Sequence, residues 1–427
     1  MREDWIECKF DEVFFTTSGG TPSRRNENYY IGNIPWIKSG ELKSNIITEA
    51  EEFISEEAVK NSSAKVFPAG TILLALYGAT IGKIAILGIP AATNQAICGI
   101  FETPFVFSKY AYYYLVNKKS YLIKQGIGGA QPNISQTILK NLDFPLPPLP
   151  EQRALVKKLE SLFSSLDAGV ADLKKAQHQL KIYRQAVLKK AFEGELTNNK
   201  KVEYVHLGEL CDGVEYGTSA KSNENGEIPV LRMGNIQNGL FDWKNLVYTD
   251  DRSEIDKYLL EKYDVLFNRT NSAELVGKTA IYKGERPAIF AGYLIRIKYK
   301  KNVLDPFYLC YYLNSHEAKN YGSSVKSFGV NQSNINGSKL KAYPIPFTPF
   351  EEQKKTVKQI ESRLSVCDSI EQNIKESLKK AEALRQSILK KAFEGNLLTA
   401  QELADCKLAE DYEPAGVLLE RIKLSKK

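Results

Sequence analysis

The chain has 427 residues, 43% hydrophobic, 11% aromatic and 26% charged, and 58 Lys and Arg against 51 Asp and Glu leave a formal charge of +7. This is the profile of a globular protein long enough for two or three domains. No apolar run reaches the roughly 18 residues of a membrane-spanning helix, and the opening Met1-Arg2-Glu3-Asp4-Trp5 is too polar for a secretory signal, so a cytoplasmic location is expected. Six scattered cysteines without a Cys-x-x-Cys spacing, and three isolated histidines, argue against a disulfide framework or a zinc site.

Residues 1–150 begin with short β-rich runs, among them Thr71 to Leu76 and Lys83 to Leu87, separated by Gly, Asn, Ser and Pro turns. A helical patch follows at Lys109 to Asn117, and one α/β domain of about 150 residues accounts for the block. Pro147, Pro148 and Pro150 then block helix. Beyond them apolar residues recur at Leu155, Leu159, Leu162, Leu166, Val170, Leu173, Ala176, Leu180, Tyr183 and Val187. These steps of mostly three and four, with one slip near Gly169, predict a coiled-coil helix over 151–195 that stops at Gly194.

The next block, 196–351, returns to β-rich runs at Asp264 to Phe267, Thr279 to Tyr282 and Gly292 to Ile297, with a helical patch at Pro306 to Asn314. It predicts a second α/β domain. After Pro346 and Pro349 a second seam runs through Val357, Ile360, Leu364, Cys367, Ile374, Leu378, Ala381, Ile388 and Ala392, interrupted at Glu371 and ended by Gly395. This second helix occupies 352–395, and residues 396–427 form a tail returning toward the first domain. Each helix of about 44 residues spans about 66 Å. Each apolar stripe is too narrow to bury alone, so the two helices are expected to pair antiparallel.

The two helical blocks are one sequence written twice. EQRALVKKLESLFSSLD from Glu151 and YRQAVLKKAFEGELT return as EEQKKTVKQIESRLSVCD from Glu351 and ALRQSILKKAFEGNLLT from Ala383, at an offset of 201 residues without a gap. The repeat extends faintly upstream, where LKNLDFPLPPLP from Leu139 matches LKAYPIPFTPF from Leu340. Antiparallel helices would set the two domains at opposite ends, related by a pseudo-twofold axis, which is the geometry a two-part site on duplex DNA requires.

This layout, with LPPLPEQ, RQAVLKKAFEGELT and RQSILKKAFEGNLLT, resembles the specificity subunit of Type I restriction–modification systems across essentially all of the chain. The resemblance implies two target-recognition domains, each reading one half of an asymmetric gapped DNA site. It also implies helices that set the gap and dock two adenine methyltransferase subunits, with two motor-nuclease subunits in the full complex. S-adenosylmethionine, ATP and magnesium would belong to those partners, and none to this chain. The rival reading is a coiled-coil scaffold that assembles protein partners without reading DNA.

Nothing in the residues points to chemistry in the chain itself. Gly78 to Ile84 and Ser272 to Thr279 only approximate a phosphate-binding loop and fall at matching places in the two repeats, as turns between strands would. The Asp/Asn-Pro-Pro-Tyr/Phe motif of adenine methyltransferases is absent. By block, the domains carry net charges of 0 and +2, the helices +3 each and the tail −1. Recognition must therefore come from local clusters. Candidate DNA contacts are Thr21, Lys38, Ser39, Thr80, Lys83, Gln131 and Asn133 in the first domain. In the second they are Tyr216, Thr218, Ser219, Lys221, Arg232, Arg269, Asn271, Lys278, Asn331 and Gln332. The tyrosine runs Tyr112 to Tyr114 and Tyr311 to Tyr312 are expected in the core.

Overall fold

A computed structural model describes residues 2–126, 133–197, 202–328 and 332–426. It divides into two compact units, Met1–Asp172 with Ser377–Lys427, and Leu173–Glu376. Each unit holds one α/β domain and a stretch of both long helices, Leu149–Phe192 and Phe350–Phe393, which run 44 residues each. The helices begin slightly before the predicted points. Pro150 lies in the first turn of the first long helix, where its missing N–H would have had no helical acceptor.

In the first unit a five-stranded sheet runs in the order Thr16–Ser18, Ile97–Ile100, Ile72–Ala75, Ile84–Leu87, Ile46–Ile47. Its central strand Ile72–Ala75 is buried throughout, hence the unbroken apolar run in the sequence. A second sheet runs Glu52–Ile54, Ile34–Ile37, Ala91–Thr93, Val66–Phe67, with its inner pair parallel. The helix Ser108–Gln125 sends Tyr110, Tyr114 and Leu115 into the core with Ile72, Leu74 and Ile100. The closing helix Ala415–Ser425 adds Leu418, Leu419 and Ile422 to that core.

The second unit repeats the plan. Its main sheet runs Cys211–Tyr216, Leu294–Tyr299, Val265–Asn268, Thr279–Ile281, and a second sheet runs Val247–Thr249, Ile228–Leu231, Ile289–Phe290, again with a parallel pair. An antiparallel ribbon joins the ends of each domain: Ile6–Lys9 with Asp143–Leu146, and Glu203–His206 with Pro344–Phe347.

What is repeated in sequence does the same work in both units. Gln152, fully buried, accepts the Phe107 amide at 2.9 Å and donates to the Pro147 carbonyl at 2.9 Å. Gln353 accepts the Asp305 amide at 2.8 Å and donates to the carbonyls of Val303 and Thr348 at 2.9 and 2.8 Å. Phe107 and Asp305 cap the N-termini of the helices Ser108–Gln125 and Pro306–Leu313, so each glutamine clasps a domain to the start of its long helix.

At the other end of the repeat, Phe393 packs on Tyr110 and Tyr114 with ring centroids 5.2 and 5.6 Å away, and Phe192 packs on Tyr308 and Tyr312 at 5.1 Å each. Gly194 and Gly395, at φ +78° and +81°, then end both helices in the left-handed turn that glycine tolerates best.

The helices also meet through matched ion pairs. Arg385 bonds Asp167 in the first unit, and in the second Arg184 donates to Asp368 at 2.6 Å and Glu371 at 2.9 Å. Both pairs join an early stretch of one helix to a late stretch of the other and share one antiparallel register. Glu371, which breaks the apolar seam, is thus a partner for Arg184. Tyr183, expected in the seam, is 50% exposed instead, and the inward position belongs to Arg184 beside it, whose guanidinium spans two carboxylates.

Candidate nucleic-acid interface

The strand Val265–Asn268 leaves the main sheet of the second domain in a loop that returns at Thr279. The Gly277 N–H donates to the Asn268 carbonyl, and the Asn268 N–H to the Lys278 carbonyl, both at 2.8 Å. Gly277 has φ +92°. The first domain makes the same closure at Gly82, φ +73°, whose N–H donates to the Ala75 carbonyl at 2.8 Å. Both look-alikes of a phosphate loop are therefore turns between strands. Each leads into a strand rather than into the helix whose amides would hold a phosphate.

On this loop, Thr270–Asn271 pairs with Ser333–Asn334, which pairs with Ser327–Phe328. The small sheet gathers candidate segments that are far apart in sequence. The Arg269 guanidinium lies over the Tyr216 ring, 4.8 Å from its centroid, and its Nη1 donates to the Gly292 carbonyl at 3.3 Å. The Tyr216 hydroxyl accepts the Gly337 N–H at 2.8 Å. Lys326 donates to the Ala273 carbonyl at 2.8 Å, and the Asn271 side chain accepts the Ser272 N–H. Gln332 is exposed beside them, whereas Asn331 lies outside the described residues.

Other candidates of this domain stand apart from that group. Thr218, expected at the surface, is only 5% exposed: its hydroxyl bonds the Glu254 carboxylate and accepts the Ala220 N–H, and its backbone bridges to Ala291. It fixes the turn and offers nothing to a ligand. Ser219 and Lys221 are exposed, and exposed Arg232 donates to the Asn245 carbonyl at 3.0 Å. Lys278 lines a cleft of about 790 Å³ with Lys181, Lys283 and Lys319. Burial, and then the charge of Lys278, hold the Lys319 ammonium below the usual lysine range.

In the first domain the Thr21 hydroxyl bonds the Gln95 side chain. Lys38, a candidate DNA contact, is bound to Glu52 at 2.6 Å, and Glu52 also takes Arg24 at 2.6 Å. The Lys38 bond holds the Glu52 carboxyl below the usual range and raises Lys38 in turn. Ser39, Thr80 and Lys83 are half-buried and Asn133 is exposed; Gln131 lies outside the described residues.

Two further cations were not named individually from the sequence, although Arg24 lies in the polar loop Thr17 to Asn28 expected to face DNA. Arg24 lies 4.0 Å over the Tyr30 ring, and Arg286 lies 4.6 Å over Trp243. Arg24-Arg25 shortly before Tyr29-Tyr30 was a local signal for the first. Arg286 and Trp243 are too far apart in sequence for one.

Fold and clusters together define a class: an internally duplicated protein with a polar surface group on each domain and, among the described residues, no group of His, Cys, Asp and Glu able to hold a metal. Nor is any helix among them long and apolar enough to cross a membrane. Residues 2–175 and 199–380 match the family described as the Type I restriction modification DNA specificity domain, and the chain belongs to that family.

The type I restriction enzyme EcoKI specificity subunit of Escherichia coli K12 is 26% identical over 99% of this chain and 96% of its own length. The putative MjaX specificity subunit of Methanocaldococcus jannaschii is 31% identical over 55% of each. Among solved structures, a chain of a type I R-M system superposes with a TM-score of 0.76 at 20% identity, covering 93% of this chain and 99% of that one. The HsdS subunit from Thermoanaerobacter tengcongensis gives 0.56 at 20% identity, over 93% and 98%.

Proposed function

We propose that this chain reads DNA sequence for a type I restriction–modification complex, each α/β domain reading one half of an asymmetric gapped site. The observation that carries the reading is the duplication of a whole recognition unit. Sheet order, glutamine clasp and phenylalanine wedge recur, while the loops facing outward differ. Two frames alike in fold and different in loops suit two half-sites of different sequence.

On this reading the chain carries out no chemical step. Two adenine methyltransferase subunits dock on the helices and flip one adenine in each half-site, and two motor-nuclease subunits complete the restricting complex. S-adenosylmethionine, ATP and magnesium are held by those partners, and the complex works in the cytoplasm.

Sequencing of methylated adenines in cells with and without the gene tests the proposal. Loss of methylation at one gapped motif on deletion is the expected result; an unchanged methylome overturns it. Salt-sensitive, sequence-dependent duplex binding by the complex with its methyltransferase separates this function from that of a protein scaffold, which shows neither.

A further inference from the structure

The second domain shows in Arg296 how it treats a structural arginine: the guanidinium donates to both Glu215 and Asp264 at 2.9 Å, so two carboxylates balance one charge. Arg269 is treated otherwise. It is half-buried, and among the described residues no carboxylate pairs with it. Its Nε is buried without a hydrogen-bond partner, and its one recorded acceptor is the Gly292 carbonyl at 3.3 Å. A charge partly withdrawn from water and left unpaired is unfavourable for the fold alone, and an acceptor supplied by a ligand removes that penalty.

The surroundings fix the kind of acceptor. Tyr216 sets the plane of the guanidinium and Gly292 holds one corner, while burial of Nε leaves the tip of the fork as the donating edge. A planar fork held in a set orientation, beside the small sheet of Thr270–Asn271 and Ser333–Asn334, suits two parallel bonds to a flat base edge. Phosphates can be met by exposed lysines such as Lys221, without such a mount.

Resting on the DNA-reading function above, we infer that Arg269 specifies one guanine, through its O6 and N7, in the half-site read by the second domain.

The test is the methylated motif in cells expressing the native chain, R269A or R269K with the partner subunits. The native motif should hold an invariant guanine, on either strand, that becomes degenerate in both variants while every other position is kept. Discrimination at that base pair should fall by roughly tenfold to a hundredfold. Lysine should fail as alanine does, because it offers a point charge rather than a fork.

An unchanged motif in both variants overturns the inference, and so does a uniform fall in methylation with no position relaxed, the mark of a phosphate contact. If R269A abolishes methylation, hydrogen exchange of peptides from the second unit in the purified complex decides. Unchanged exchange also overturns the inference, and faster exchange leaves the decision to R269K. A gene deletion that removes no gapped motif is a separate failure, that of the DNA-reading function itself.

Discussion

Gln152 and Gln353 occupy equivalent places in the two repeats and differ in how many backbone groups they satisfy, which makes each a control for the other. Replacing Gln152 by alanine orphans the Phe107 amide and the Pro147 carbonyl. Replacing Gln353 orphans the Asp305 amide and the carbonyls of Val303 and Thr348. An unsatisfied group costs about 1–3 kcal/mol when buried and less when partly exposed. Q152A loses one buried and one half-buried bond and should destabilise its unit by roughly 1–4 kcal/mol, and Q353A, losing one buried and two half-buried bonds, by somewhat more.

Because the chain has two units, one global unfolding midpoint is a poor measure. Hydrogen exchange of the Phe107 and Asp305 amides, read by mass spectrometry on peptides from each unit, reports each clasp alone. Q152A should speed exchange at Phe107 and leave Asp305 protected; Q353A should do the reverse, with the larger loss of protection. Unchanged exchange in both variants, or a larger effect from Q152A, would refute the argument that these glutamines clasp the domains to the helices.

Alanine at Phe192 or Phe393, each mostly buried against two tyrosines, should cost about 3–5 kcal/mol in its own unit, measured by urea titration followed by domain-specific exchange. A double-mutant cycle on Arg385 and Asp167 should give a coupling of about 0.2–1 kcal/mol that shrinks with salt, since the carboxylate is largely exposed.

The Glu402 carboxyl is held down to about 2, first by the Lys158 ammonium and then by the Thr399 amide. Its contribution is complete above the unfolded value of about 4.5 and disappears as pH falls toward 2. Melting of the native chain should therefore lose about 1 kcal/mol or less over that window, and E402Q should flatten the loss, because the pair is partly solvated. Four helix-forming residues inserted within Glu193 to Thr197, ahead of the Gly194 turn, add about 6 Å and should widen the gap of the methylated motif by one or two base pairs; an unchanged gap would deny the helices a spacing role.

The long helices were the most legible part of the sequence because they state one constraint many times: each turn places another apolar residue on the same face, and Gly194 and Gly395 mark the ends. Where a single residue decides, the pattern misleads. The pattern marks a helical patch at Lys109 to Asn117, yet the helix runs from Ser108 to Gln125, with Leu122 reaching the core fully buried. The burial of Thr218 on Glu254 and the capture of Lys38 by Glu52 join residues 36 and 14 positions apart, distances over which no periodicity operates.

The same contrast separates frame from reading surface. At the turn closed by Gly82 and Gly277 the two domains share their glycine, their backbone bond and the lysine that follows, all of which the strands on either side demand. Between those fixed points the segments differ in length and residues: one domain places Leu76 to Ile81, with Leu76 in the core, and the other Arg269 to Val276, with Arg269 at the place of Leu76. Net charge does not distinguish them, because acidic and basic residues nearly balance in each domain and some cations are already held, as at Lys38 with Glu52 and Arg296 with Glu215 and Asp264. A half-buried cation that no carboxylate among the described residues balances is therefore more informative than the +7 of the whole chain: at Arg269 the Tyr216 ring and the Gly292 carbonyl hold the guanidinium in place while its charge stays unbalanced, which is why its further acceptor is sought in the DNA.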